Sequence, residues 1–294
     1  MQIVIQLIIS GVSAGCIYGI ISLAFTLIYN STKIVNFAQG SLIMAGAMLG
    51  HVFLYRMGLP SLVGLLLDII VLCVIGLVMK FAVYDYLKRK GAKDYHLVIT
   101  ILGFGIVIEQ IFALTVGKQQ YSVPALIGAG KSIAIPILGI NMYPENMILI
   151  IVTVILIAGF WIFLNKTHLG LCIQAIGFNP AAANLSGLKT SKLITITFCL
   201  SCAISAIGGI LIAPIMGAQS AMGTVLGNKG FAATILGGMG NPFAGFMGGL
   251  IIGLVESFAS YYISSTYSHV IAYVVLLLML IVKPSGLWAE KGDR

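Results

Sequence analysis

The sequence predicts an all-α fold: a polytopic membrane helical bundle of about eight apolar segments, at least one of them broken or re-entrant. Three observations carry this. Of 294 residues, 60% are hydrophobic and only 8% charged, with a mean hydropathy of +1.09, against roughly half apolar and a quarter charged in soluble domains. Apolar residues come in runs such as 62–83, 147–164 and 193–215, which approach or exceed the ~20 residues that span the hydrocarbon core as a helix. The run FAATILGGMGNPFAGFMGGLIIGLVES, residues 231–257, holds Gly237, Gly238, Gly240, Asn241 and Pro242 at its centre, a combination that breaks a helix. One integral domain over residues 1–294 is expected.

The first segment, about 3–29, has no positive n-region and is too long for a signal peptide, so it is expected to stay in the mature chain. Its small residues Ser10, Gly11, Ser13, Ala14, Gly15 and Gly19 suit close helix contact. In the next run, 34–53, Asn36 and Gln39 enter apolar sequence broken by Gly40, Gly46 and Gly50. Polar side chains at that depth either bond across helices or line a solute path. Segments 62–83 and 96–116 contain Asp68 and Glu109. Between them Lys88, Arg89, Lys90 and Lys93 outnumber Asp85 and Asp94, which places that connector in the cytoplasm.

The loop at about 165–192 carries Lys166, Lys189 and Lys192 and no acid, so it is cytoplasmic too. Residues 117–145 then lie outside, where Pro124, Gly128, Gly130, Pro136 and Pro144 suit an ordered loop. The tail KPSGLWAEKGDR has three bases against two acids, a weaker inside signal, with Trp288 as an interfacial anchor. An internal Lys192 and an internal C-terminus need an even number of crossings, yet three apolar stretches remain: 193–215, 231–257 and 261–282. The middle one is expected not to cross but, through its Gly-Asn-Pro break, to be a broken or re-entrant segment beside the translocation route. The uncharged N-terminus leaves its own side open. Phe37-Ala38 with Ile43-Met44-Ala45-Gly46 echoes Phe231-Ala232 with Ile235-Leu236-Gly237-Gly238, which favours a matching dip at 36–53.

Within the 165–192 loop, Asn179-Pro180 is a helix start and Gly187 a left-handed stop, so a short helix over 180–186 is expected. Its Ala181, Ala182 and Ala183 allow close approach of a partner, while Leu169, Ile173 and Ile176 recur upstream at helical spacing. The same chemistry serves an amphipathic loop on the bilayer or one packed on its own helices.

Other chemistry is sparse. The five cysteines, Cys16, Cys73, Cys172, Cys199 and Cys202, sit in or beside apolar segments and form no disulfide framework. Cys199 and Cys202 have metal-pair spacing without a second pair, and His51, His96, His168 and His269 are dispersed, so no metal and no cofactor are expected. The stretch Gly128-Ala129-Gly130-Lys131-Ser132 lacks the first glycine of a phosphate-binding loop, since Ala125 stands there. The absence of hydrolytic motifs predicts a non-enzymatic chain, energised by ions or by another subunit.

Taken together, NFAQGSLIMAGAM near the start, LGLCIQAIGFNPAAANLSGL in the loop, KGFAATILGGMGNPFAGFMGGLIIGLVES later and VKPSGLW near the end resemble the LivH-type permease of branched-chain amino acid ABC importers over nearly the whole chain. The resemblance implies an inner-membrane transport subunit that pairs with a LivM-type permease, two cytoplasmic ATPases and an extracytoplasmic binding protein. It further implies a coupling helix within 170–187, so Gly170, Gln174, Ala175, Asn179, Pro180, Ala182 and Gly187 are its candidates for ATPase coupling. Gln174-Ala175 departs from the family's frequent Arg before that alanine. Asn36, Gln39, Gly40, Gly237, Gly238, Asn241 and Glu256 are candidates for the translocation path, each with inter-helix bonding or packing as its alternative. Urea, amides or other amino acids are alternative solutes. A secondary transporter using Asp68, Glu109 and Glu256, or a membrane scaffold, are readings from other classes.

Overall fold

In a computed structural model of the chain we describe residues 2–123, 133–135, 140–265, 267–283 and 286–288. Helix α1 (Gln2–Thr32) is followed by an extended stretch and by α2 (Gln39–Gly50), which runs on as a π-helical turn, His51–Arg56. A single rod comprises α3 (Ser61–Val78), a π-helical stretch (Met79–Asp85) and α4 (Tyr86–Arg89), and α5 (Asp94–Thr115) follows. Two short strands, β1 (Ile133–Ile135) and β2 (Ile140–Met142), pair antiparallel. Then come α6 (Pro144–Lys166), α7 (His168–Phe178), α8 (Pro180–Leu185), α9 (Thr190–Met216), α10 (Met222–Gly237), α11 (Pro242–Tyr262) and α12 (Ser268–Val282). Among the described residues, six helices are long and apolar enough to cross a membrane. The external-loop residues Pro124, Gly128, Gly130, Lys131, Ser132 and Pro136 lie outside the described residues, as do Ala125 and Ala129.

Helix α1 is the centre of the bundle. It is apolar all round; its first turns, with Ile3, Val4 and Ile8, are exposed, and the stretch from Cys16 to Leu27 is buried throughout. It packs on α11 through small residues: a Cβ on Gly253 would stand 2.3 Å from the Gly15 backbone nitrogen, and one on Gly15 would stand 2.7 Å from the Leu250 Cα. The glycines of the first segment therefore serve the close contact their spacing implied. Around this pair stand α9, α10 and α6, while α2 lies between α9, α10 and α5.

Contacts sort the element ends into two sets. At one end, Asn30 at the close of α1 donates to the Gly240 carbonyl at 2.9 Å, Gly177 of α7 abuts the Asn30 carbonyl, and Lys80 bonds Ser191 at the start of α9. The tail joins the same end, where the Leu287 and Trp288 amides bond the Leu236 and Gly237 carbonyls at 2.9 Å. At the far end, Arg56 reaches the Val116 carbonyl, Tyr121 pairs with Ala218, and Gln120 reaches Met216.

Two expectations are corrected by this sorting. The 231–257 run is broken at Gly-Asn-Pro as expected, but it does not fail to run the length of the bundle: it belongs to a helical hairpin, α10 and α11, whose turn is that break and whose two arms each run between the two ends of the bundle. The physical reason lies at Lys229, which is buried and lets α10 begin as early as Met222, so the apolar run starting at Phe231 is only its second half. Gly238 (φ +123°) and Gly240 (φ +100°) make the turn, Asn241 caps α11 by accepting from the Phe243 and Ala244 amides, and Pro242 takes the first helical position. The second correction is at 36–53, which does not dip back. After the extended residues that follow Lys33, α2 carries the chain to the far end, where His51 stacks on Tyr121. The N-terminus of α1 therefore lies opposite the 165–192 loop.

Candidate functional site: a capped loop helix and a polar interior

The 165–192 loop folds into α7 and α8. The hydroxyl of Thr167 accepts from the Gly170 amide at 3.1 Å, and Asn179 accepts from the Ala181 and Ala182 amides at 3.1 and 3.0 Å, so both helices begin with a side-chain cap. The short helix covers Pro180–Leu185, and Gly187 stops it at φ +83°. Ile173 and Ile176 are buried, but Leu169 is exposed, so the packed face of α7 is set by Ile173, Ile176 and two glycines instead. A Cβ on Gly170 would collide with the Phe163 carbonyl, and one on Gly177 with the Asn30 carbonyl at 1.6 Å. These glycines seat α7 on the ends of α6 and α1.

Of the residues singled out here, Gly170 and Gln174 face inward, and Gln174 donates to the Leu164 carbonyl at 2.9 Å, an orphan at the end of α6. Ala175, Asn179, Pro180, Ala182 and Gly187 face outward, and only Ala183 of the three alanines is buried. Sequence reasoning missed the two largest groups on the ridge: Phe178 and Leu185, 82% and 91% exposed, flank α8. Their spacing around Pro180-Ala181-Ala182 was the available signal. Lys33, in the left-handed region at φ 57°, stands over the Phe178 ring.

Inside the bundle, Asn36 and Gln39 are fully buried and bonded. Asn36 donates to Gln39 at 3.1 Å, Ser201 donates to Gln39 at 3.0 Å, and Gln39 donates to Ser205. This network ties the start of α2 to α9, and Gly40 packs directly on Gly223 and Gly227 of α10. In this conformation these three residues hold helices together and leave no open face. The two copies of the internal echo touch: the Phe37 and Phe231 rings meet edge on at 4.9 Å. Gly237, Gly238 and Asn241 lie at the hairpin turn, near α7 and the tail, not at the middle of a crossing.

Glu256 is the path candidate with a partner that the sequence concealed. Lys229 of α10 meets it at 2.6 Å, and Tyr18 of α1 completes a triad, accepting from Lys229 at 2.9 Å and donating to Glu256 at 2.7 Å. A basic residue inside an apolar run, followed by an acid on the next helix, was the missed signal. Asp68 is fully buried, and neither carboxyl oxygen has a hydrogen-bond partner among the described residues. Glu109 of α5 accepts from Ser41 of α2 at 3.0 Å and from Thr224 of α10 at 3.2 Å. Among the described residues no group of three or more His, Cys, Asp or Glu is placed to hold a metal.

The sequence matches the family model described as "Branched-chain amino acid transport system / permease component" over residues 7–282. It is 26% identical to the high-affinity branched-chain amino acid transport system permease protein LivH of Salmonella typhimurium, over 96% of this chain and 94% of that protein. It is 25% identical to the permease protein BraD of Pseudomonas aeruginosa over 96% and 95% of the two chains, and 25% identical to a probable LivH of Methanocaldococcus jannaschii over 91% and 87%. A match over nearly the whole helical bundle, with α7 and α8 inside it, means that this multi-pass membrane chain belongs to the branched-chain amino acid transport system permease family.

Proposed function

We propose that the chain is the permease subunit of an ABC importer that moves branched-chain amino acids across the cytoplasmic membrane. ATP is hydrolysed in two partner ATPases, a second permease completes the pore, and an extracytoplasmic binding protein delivers solute; this chain itself is not an enzyme. The loop end of the bundle is cytoplasmic, because Lys88, Arg89, Lys90 and Lys93 stand at the start of α5 and Lys166, Lys189 and Lys192 border α7 and α8. The C-terminal tail, bonded to that end, is cytoplasmic too, and α1 begins outside.

The observation that carries the reading is the outward face of α8. A capped helix with Ala182 exposed between exposed Phe178 and Leu185 is an apolar ridge that water does not favour and an ATPase groove would cover. It is also wired into the bundle, since Gly177 bears on Asn30 and Asn30 holds the Gly240 carbonyl of the α10–α11 turn. Movement of α8 is thereby passed to α1 and to the hairpin, the elements that reorient in alternating access.

Ala182→Trp tests this. The side chain points away from the bundle, so insertion and folding are expected to be normal. A ring at a close contact costs ~1–3 kcal/mol, and ~1.4 kcal/mol is a decade of affinity. Co-purifying ATPase and solute-stimulated hydrolysis are expected to fall roughly tenfold or more, while Ser122→Trp at the far end spares both. Undiminished ATPase recovery with Ala182→Trp would remove α8 as the coupling element.

A further inference from the structure

Three carboxylates stand within the apolar helices, and they differ in what holds them. Glu256 is neutralised by Lys229. Asp68 is sealed between helices with its oxygens unbonded among the described residues. Glu109 is different from both. Its partners are two hydroxyls, Ser41 and Thr224, and among the described residues no cation pairs with it. It is also not sealed: the carboxylate is half-buried, and Thr224, Gln110 and Asn228 beside it on α5 and α10 are exposed.

Position makes that arrangement informative. Glu109 stands about 22 Å along α5 from Asp94 and about 9 Å short of Thr115, at ~1.5 Å per residue, so it lies within the span and nearer the far end. Exposed Leu102, Ile106, Val107 and Leu114 surround it on the same helix. A carboxylate facing acyl chains at that depth costs roughly 2.5–3.5 kcal/mol on insertion scales, so this polar strip faces something other than lipid. The two hydroxyls fix the carboxylate where three broken or adjoining elements meet: α5, the early part of α2 and the N-terminal turn of α10. Among the described residues no cationic complement stands beside it. The proposed solute class, an amino acid entering from the far end, carries one in its ammonium group.

We propose that Glu109, oriented by Ser41 and Thr224, is the residue that receives the ammonium group of the transported amino acid as it enters the permease. This rests on the importer reading above. Glu109 then selects for a primary ammonium, whichever side chain the solute bears: Ser41 and Thr224 hold its Oε1 against Gly223 at the α2–α10 contact, and Oε2, touched among the described residues by Thr224 alone at 3.4 Å, is the oxygen left to take the ammonium.

The test has two arms. In the first, the importer is reconstituted with its partners and uptake of radiolabelled leucine is measured for the unaltered chain, Glu109→Gln and Glu109→Asp. The amide of Glu109→Gln still accepts from both hydroxyls, so abundance and ATPase recovery are expected to hold while uptake falls by roughly tenfold to a hundredfold, the range for losing one charged hydrogen-bond partner. Glu109→Asp is expected to recover part of it. In the second arm, the assembled permease–ATPase complex in lipid nanodiscs, without the binding protein, binds radiolabelled leucine against leucinamide, which keeps the ammonium, and 4-methylpentanoate, which lacks it. Leucinamide is expected to compete and 4-methylpentanoate not, and Glu109→Gln to lose that preference. Undiminished uptake by Glu109→Gln, or equal competition by the two analogues, would overturn the assignment. If the unaltered importer takes up no branched-chain amino acid, the importer reading fails, and the competition arm still decides the role of Glu109. If Glu109→Gln does not accumulate, the analogue series on the unaltered chain and on Thr224→Val decides it: equal competition there overturns the proposal.

Discussion

Replacing Glu256 by Gln tests how the interior charges are handled. The Lys229 ammonium is 2.6 Å from the Glu256 carboxylate, with the two side chains 3% and 13% exposed. Neither charge is well solvated, so the variant leaves an ammonium inside the bundle with only the Tyr18 hydroxyl and a neutral amide as acceptors. Breaking a buried pair in this way costs roughly 3–5 kcal/mol, whereas replacing both charges with neutral groups is often neutral or stabilising. The size of the loss is therefore set by the orphaned lysine, not by the missing glutamate. At roughly 2–4 °C per kcal/mol for larger domains, Glu256→Gln is expected to lower the melting temperature of the detergent-solubilised chain by on the order of 10 °C. Lys229→Met combined with Glu256→Gln is expected to restore most of it, because the Gln oxygen still accepts from Tyr18 and no charge is left behind. Thermal unfolding followed by size-exclusion chromatography reads both. A single variant as stable as the unaltered chain, or a double variant worse than either single one, would refute the idea that α1, α10 and α11 are clamped by a mutually compensated pair.

Two further substitutions separate seating of the loop from its flexibility. Gly177→Ala places a Cβ that would stand 1.6 Å from the Asn30 carbonyl, a backbone atom that cannot yield alone, so α7 is expected to lift from α1 and ATPase recovery to be lost. Gly187→Ala meets nothing within 4 Å and pays only about 1 kcal/mol for its left-handed backbone, so it keeps ATPase recovery. Equal behaviour of the two would mean that the Gly177 contact does not seat the loop. Gln39→Leu removes the amide that joins Asn36, Ser201 and Ser205 and is expected to destabilise the chain by about 1–3 kcal/mol. A stable variant with impaired uptake alone would place Gln39 in the path instead.

Length and composition made the helical bundle legible, and Asn179-Pro180 with Gly187 made α8 legible almost to the residue. Both signals are local: apolar run length and cap chemistry act within a few residues. What failed to read were features that depend on partners distant in sequence. Lys229 looks like a break in an apolar run until Glu256 and Tyr18 close around it, and that one residue concealed the first half of α10. Asn36 and Gln39 offer the same polarity whether they line a path or bridge helices, and the Ser201 and Ser205 that bond Gln39 here stand on a helix far along the chain. Gly170 and Gln174 fall inside the docking motif by sequence, yet they support α7 from within.

The most direct test of the account is ATP-dependent uptake of radiolabelled leucine into inside-out-controlled proteoliposomes holding the chain with its partner permease, ATPases and binding protein. Uptake is predicted only when ATP is on the face bearing α7 and α8 and binding protein on the other, and Ala182→Trp is predicted to abolish it without changing the amount of permease inserted. Leucine uptake by the lone chain, driven by a sodium or proton gradient and indifferent to ATP and to Ala182→Trp, would contradict the account.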